Sequence, residues 1–300
     1  MSPSSTEYGS YGVIANIRAK IRPGGQREQI VGETAVDLGL KNKVAVVTGA
    51  SKGIGLAVTK ALVAEGARVI AGARDVGGEL QSLAEGGAVN AVSIDLATPD
   101  GPQALVAAAQ QYGGLDVVVN NVGAVALRLE GFASVTDDQW LSSLNLNFMV
   151  AVRTMRAALP LLGRRSGGGA IVTVSSVNAF LPDPGIIDYC AAKAALTNFS
   201  KALSKELGPK GVRVNTVSPG PVETALWLGP DGVAATVAKS SGVDFDTAKQ
   251  QVVASQGGFA TGRFTRPDEV ADLVLFLASD RSGNITGADF VIDGGLIKTL

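Results

Sequence analysis

The run Lys43-Val44-Ala45-Val46-Val47-Thr48-Gly49-Ala50-Ser51-Lys52-Gly53-Ile54-Gly55 decides the fold. An apolar stretch closing on glycines reads as a buried strand, a tight turn and the start of a helix. Glycine lets the turn approach a pyrophosphate closely, and the helix start offers unpaired N–H groups at the positive end of its dipole. Gly49, Ser51, Lys52, Gly53, Ile54 and Gly55 are therefore expected to cradle dinucleotide phosphates. Their spacing, Gly-x-x-x-Gly-x-Gly, departs from the Gly-x-Gly-x-x-Gly fingerprint.

Outward from this run, strand signals recur at 43–48, 68–72, 90–94, 116–119, 169–175, 212–217 and 289–292, with helical patterns between them. This alternation predicts one α/β domain over 41–300: a doubly wound parallel sheet of Rossmann type with helices on both faces. Ligands of such sheets gather beyond the carboxyl ends of the strands, where Gly49, Arg74, Asp95 with Leu96, Asn121, Ser176 and Pro219 fall. A length of 300 residues and 46% apolar content suit one large core. A net charge of −1 supplies no positive field for nucleic acid, and no uncharged apolar run is long enough to span a membrane. With no histidine and one cysteine, Cys190, a zinc site is not expected and an intramolecular disulfide is excluded, which fits a cytoplasmic protein. Cys190 itself reads as a small buried residue outside the chemistry.

Acid/base chemistry without histidine points to Tyr189-Cys190-Ala191-Ala192-Lys193. On a helix Tyr189 and Lys193 share one face, and a nearby ammonium is expected to lower the phenol pKa from its usual value near 10. Ser176, thirteen positions upstream, closes the apolar run that starts at Ala170 and is delivered to the same sheet edge, where its hydroxyl can bond a carbonyl.

Together with the glycine turn, these residues resemble the short-chain dehydrogenase/reductase family, of the classical type, over about 40–300. Asp116-Val117-Val118-Val119-Asn120-Asn121-Val122-Gly123 is similar to the family's Asn-Asn-Ala-Gly element, with Val122 in place of alanine. The resemblance implies that Asn121, Val122 and Gly123 lie beside the cofactor, and that Pro219, Gly220, Val222 and Thr224 wall the nicotinamide. It further implies a catalytic set of Asn147, Ser176, Tyr189 and Lys193. Tyr189 would donate the proton, Ser176 polarise the oxygen, Lys193 hold the ribose and Asn147 hold a water near Lys193, with Asn145 as the competing asparagine. The implied reaction is hydride transfer between nicotinamide and a ketone or secondary alcohol, without metal, in a homo-oligomer, tetramer or dimer.

The second strand ends without the acid that would bond both ribose hydroxyls of NAD, and Arg74 follows instead. With Lys52 it can neutralise a 2′-phosphate, so NADP(H) is expected over NAD(H), although Asp75 is a neighbouring acid. Residues of about 222–262 are expected to form a mobile lid, and Trp227, Phe180 and Leu181 an apolar pocket wall. These features suggest a ketoreductase for a fairly hydrophobic carbonyl substrate, fatty-acyl or polyketide-like. An NAD-linked alcohol dehydrogenase and a non-catalytic NADP(H)-binding scaffold are the alternatives; a sugar-nucleotide epimerase fits the glycine spacing less well. Residues 1–40, with a candidate strand at 13–22, read as an extension that is either mobile or an oligomer contact.

Overall fold

The computed structural model describes residues 36–128, 130–165, 168–230, 232–255 and 257–299. The candidate strand at 13–22 lies outside the described residues.

Seven parallel strands form one sheet: β1 (Val44–Thr48), β2 (Arg68–Ala73), β3 (Val89–Ser93), β4 (Val117–Asn120), β5 (Gly169–Val174), β6 (Val212–Pro219) and β7 (Asp289–Ile292). Their order is β3-β2-β1-β4-β5-β6-β7, so the chain reverses its winding between β1 and β4 and opens a crevice there. All seven expected strands are present.

The apolar runs are continuous because both sheet faces are covered. From β1, Ala45 and Val47 enter one layer with helices α1 (Gly53–Ala64) and α10 (Pro267–Ala278). Val44 and Val46 enter the other, with α3 (Gly101–Ala107), α5 (Val150–Ala158) and α6 (Ile187–Leu207). Two smaller helices, α2 (Gly78–Glu85) and α4 (Asp137–Leu144), complete the crossovers. Leu38 and Leu40 already pack in the α1/α10 layer.

Between β6 and α10 stand three helices, α7 (Ala225–Leu228), α8 (Val233–Ser241) and α9 (Phe245–Ser255). A parallel bridge, Val222 to Thr265, joins the two ends of this insertion. The segment expected as a mobile lid contributes Val252 and Phe259 to an apolar cluster that also buries Val177, Phe264 and Leu296. Trp227 packs toward Phe264, with ring centroids 5.9 Å apart, and so is part of this cluster. Phe180 and Leu181 remain exposed.

Candidate active site

The carboxyl ends of β1, β4, β5 and β6 bring most of the expected site residues together. Ser176 follows β5 in extended backbone (φ −167°, ψ 152°), which presents its side chain beyond the sheet edge. Its hydroxyl lies beside Tyr189 on α6 and acts to lower the phenol pKa. Asn178 braces the serine: its backbone N–H donates to Ser176 Oγ at 3.1 Å, and its Oδ1 accepts from that hydroxyl at 3.2 Å. One turn beyond Tyr189, buried Lys193 points its Nζ at the Val174 carbonyl, 2.9 Å away at the end of β5. The ammonium lies 5.7 Å from the centre of the Tyr189 ring.

The electrostatics differ from the sequence-based expectation. Desolvation pushes the Tyr189 phenol up to about 12, against a smaller opposing effect of the Ser176 hydroxyl. Desolvation also pulls Lys193 down to about 8, and no carboxylate among the described residues pairs with it. The phenol therefore stays above its usual value in this arrangement, with desolvation the dominant cause.

Asn147 sits in a wide π-helical turn, Asn145–Met149, between α4 and α5. Its Nδ2 donates to Ser143 O, one turn back, at 3.1 Å and to Ala124 O at 3.0 Å, while its Oδ1 accepts the Ala124 N–H at 3.0 Å. The side chain competes for a helical carbonyl and clasps the strand-to-helix loop at once. A Cβ on Gly123 would stand 3.0 Å from Asn147 Oδ1 and 3.4 Å from Lys193 Nζ, so these three residues adjoin. Asn145 turns elsewhere, donating to Ala97 O and accepting from Arg153.

The glycine turn has the geometry of a cradle. Gly49 and Gly53 take positive φ, 69° and 55°. A side chain on Gly55 would meet the Gly49 carbonyl at 2.2 Å, so the turn closes only around glycine. Asn121 holds it by donating to the carbonyls of Thr48 (3.0 Å) and Gly49 (3.1 Å), and Val122 donates to Thr48 Oγ1. The Lys52 side chain leaves the start of α1 uncapped, with Ser51 before it in the turn and Ile54 in the first turn of the helix. Thr224 lies against Gly53, whose added Cβ would come 3.4 Å from Thr224 Cγ2. Such an uncapped, glycine-walled helix start fits a dinucleotide's phosphates.

Arg74 is exposed just beyond β2, and Gly49 and Ala50 both donate to Gly72 O, which sets Arg74 beside the cradle. Asp75 accepts the N–H of Gly77 at 2.9 Å and so serves its own turn. Asp95 likewise caps Ala97, while Leu96 is buried in the core. Pro219 and Val222 are buried, and Gly220 packs so tightly that a Cβ would lie 2.8 Å from Asp293 Cβ. A groove of about 720 Å³ between α1, α7 and α10 touches the site at Gly53 and Thr224.

Sequence reasoning missed three supports. Thr48, Asn178 and an ion pair between Arg128 and Asp188 all hold site residues in place. The first two carry no spacing signal, since their partners are set by the turns between strands. Asp188 is legible only as a charged residue inside an otherwise apolar helix start.

Residues 49–297 match the family model described as enoyl-(acyl carrier protein) reductase. D-threitol dehydrogenase of Mycolicibacterium smegmatis is 37% identical over 86% of this chain and 94% of its own length. The 3-oxoacyl-[acyl-carrier-protein] reductase of Thermotoga maritima is 35% identical over 86% of this chain and 99% of its own. Among solved structures, L-sorbose reductase from Gluconobacter frateurii, complexed with NADPH and L-sorbose, superposes with a TM-score of 0.79 at 35% identity, covering 88% of this chain and all of that one (100%).

Proposed function

Because the chain belongs to the short-chain dehydrogenase/reductase family of oxidoreductases, we propose that it is an NADP(H)-dependent ketoreductase acting on a fairly hydrophobic carbonyl. The observation that carries this reading is the convergence of Ser176, Tyr189 and Lys193: Ser176 adjoins the phenol, and the Lys193 ammonium lies 5.7 Å from its ring centre on the same helix face. The bound nicotinamide supplies the hydride.

In reduction, the substrate oxygen enters between the Ser176 hydroxyl and the Tyr189 phenol. A phenol held near 12 is fully protonated at neutral pH and is thus loaded as the acid. Ser176, braced by Asn178, fixes the oxygen and polarises the carbonyl. Lys193, charged below about pH 8, faces the site beside Gly123, where it can hold a ribose hydroxyl and restore the phenol's proton through water near Asn147. The cradle at 49–55 and the wall from Pro219 to Thr224 would hold the cofactor. Lys52 and Arg74, on adjacent connections, would take the 2′-phosphate, with Asp75 committed to its own turn.

Phe180, Leu181, Leu127 and Leu226 are exposed large apolar side chains on the connections that carry site residues. They support a hydrophobic substrate over a polyol. The test is NADPH oxidation with product analysis on acetoacetyl thioester, crotonyl thioester, L-sorbose and a medium-chain methyl ketone. Turnover of the acetoacetyl thioester or methyl ketone is expected. Turnover of the crotonyl thioester alone would replace carbonyl by alkene reduction, and L-sorbose alone would overturn the hydrophobic assignment. Described residues include no helix long and apolar enough to cross a membrane. A homo-oligomer and a cytoplasmic setting are further parts of this proposal.

A further inference from the structure

Tyr189 is flanked in sequence by two residues that are each tied to another loop. On one side, Asp188 is buried at the start of α6, and Arg128, in the loop between β4 and α4, bonds it through Nε at 3.2 Å and Nη2 at 2.5 Å. The same arginine's backbone N–H donates to Gly185 O at 2.8 Å, in the turn that leads into α6. On the other side, Cys190 Sγ accepts the Asp183 N–H at 3.3 Å, and Asp183 caps Gly185 through its side chain at 2.7 Å. Both Arg128 bonds to the carboxylate fall on one oxygen, Oδ2, while Oδ1 is buried among the atoms without a protein partner.

A buried ion pair is a costly way to gain stability, since desolvation of two charges offsets most of their attraction. What it does supply is a fixed geometry between two chain segments. The β4–α4 loop is clasped near its start by Asn147 at Ala124 and again at Arg128. The two clasps end on Asn147 and on the chain neighbour of Tyr189.

Resting on the ketoreductase reading above, we infer that Arg128 and Asp188 are positioning residues that set the Tyr189 phenol in line with the substrate oxygen. They touch neither substrate nor hydride. They fix the first turn of α6 relative to the loop that also presents Leu127 at the substrate mouth.

The decisive variant is the double substitution Arg128→Met with Asp188→Asn, which removes both charges and leaves none buried alone. Measured against the parent are the thermal midpoint, the NADPH dissociation constant, and kcat and KM on the best carbonyl of the panel. The inference predicts a midpoint and NADPH affinity close to the parent's, KM within about threefold, and kcat lowered about tenfold or more, because small misplacements of a reacting group are costly. Asp188→Glu in the parent, which keeps the charge but moves it on a longer arm, is expected to lower kcat as well, by less than the double variant does. A double variant with parental kcat would refute positioning while leaving the ketoreductase reading intact. If the double variant unfolds, Arg128→Lys, which keeps the charge but loses the fork, serves in its place, and parental kcat there sinks the inference equally. A parent inactive on every carbonyl would overturn the functional reading, and the inference with it.

Discussion

A half-buried phenol and a buried ammonium on one helix face set the pH behaviour of this site. Lys193 binds its proton with a pKa of about 8 in the fold against an ordinary 10.5, so between these values the unfolded chain holds more protons. Raising the pH from about 8 toward about 10 should therefore stabilise the cofactor-free protein, by on the order of 3 kcal/mol at most. Tyr189 acts oppositely: the fold retains its proton up to about 12 against an ordinary 10.0, so stability falls as the pH passes 10.0 and beyond. Urea unfolding across this range, with Lys193→Met as control, checks the first effect; an unchanged rise in that variant would assign it elsewhere. Arg74→Asp is expected to weaken NADPH binding about tenfold or more, the weight of a charge-assisted contact, while sparing NADH. Equal losses for both cofactors would remove Arg74 as the discriminator.

At the scale of elements, the glycine turn and the insertion after β6 make contrasting demands. Gly55→Val pushes a side chain into the Gly49 carbonyl and the Asn121 amide, so calorimetric titration should show loss of cofactor binding even where the fold survives. In the insertion, Phe264 is almost fully buried between Phe259 and Trp227, and Phe264→Ala should cost about 3–5 kcal/mol by denaturant unfolding. The strands were readable because buried parallel strands are continuous apolar runs, and the cradle because only glycine fits its turn. The insertion was not, because its apolar residues are scattered over short helices and complete their cluster with Leu296 and Val177, distant in sequence. The phenol pKa was misjudged for a related reason: i,i+4 spacing reveals the partner, while burial, which dominates, depends on the whole fold. Asn147 could be preferred over Asn145 by register, yet its clasp on Ala124 depends on a π-helical turn that no local pattern announces.

At the scale of the molecule, the winding reversal between β1 and β4 places the glycine turn and its Asn121 brace at one crevice, where the proposed site lies. The central claim is that this crevice reduces a carbonyl with Tyr189 as the acid. The measurement that tests it most directly is product formation from NADPH and the panel's best carbonyl by the parent and by Tyr189→Phe, with NADPH affinity determined on the same preparations. The account predicts turnover lowered by about a hundredfold or more in the variant, with NADPH binding retained. Turnover near the parent's would contradict it.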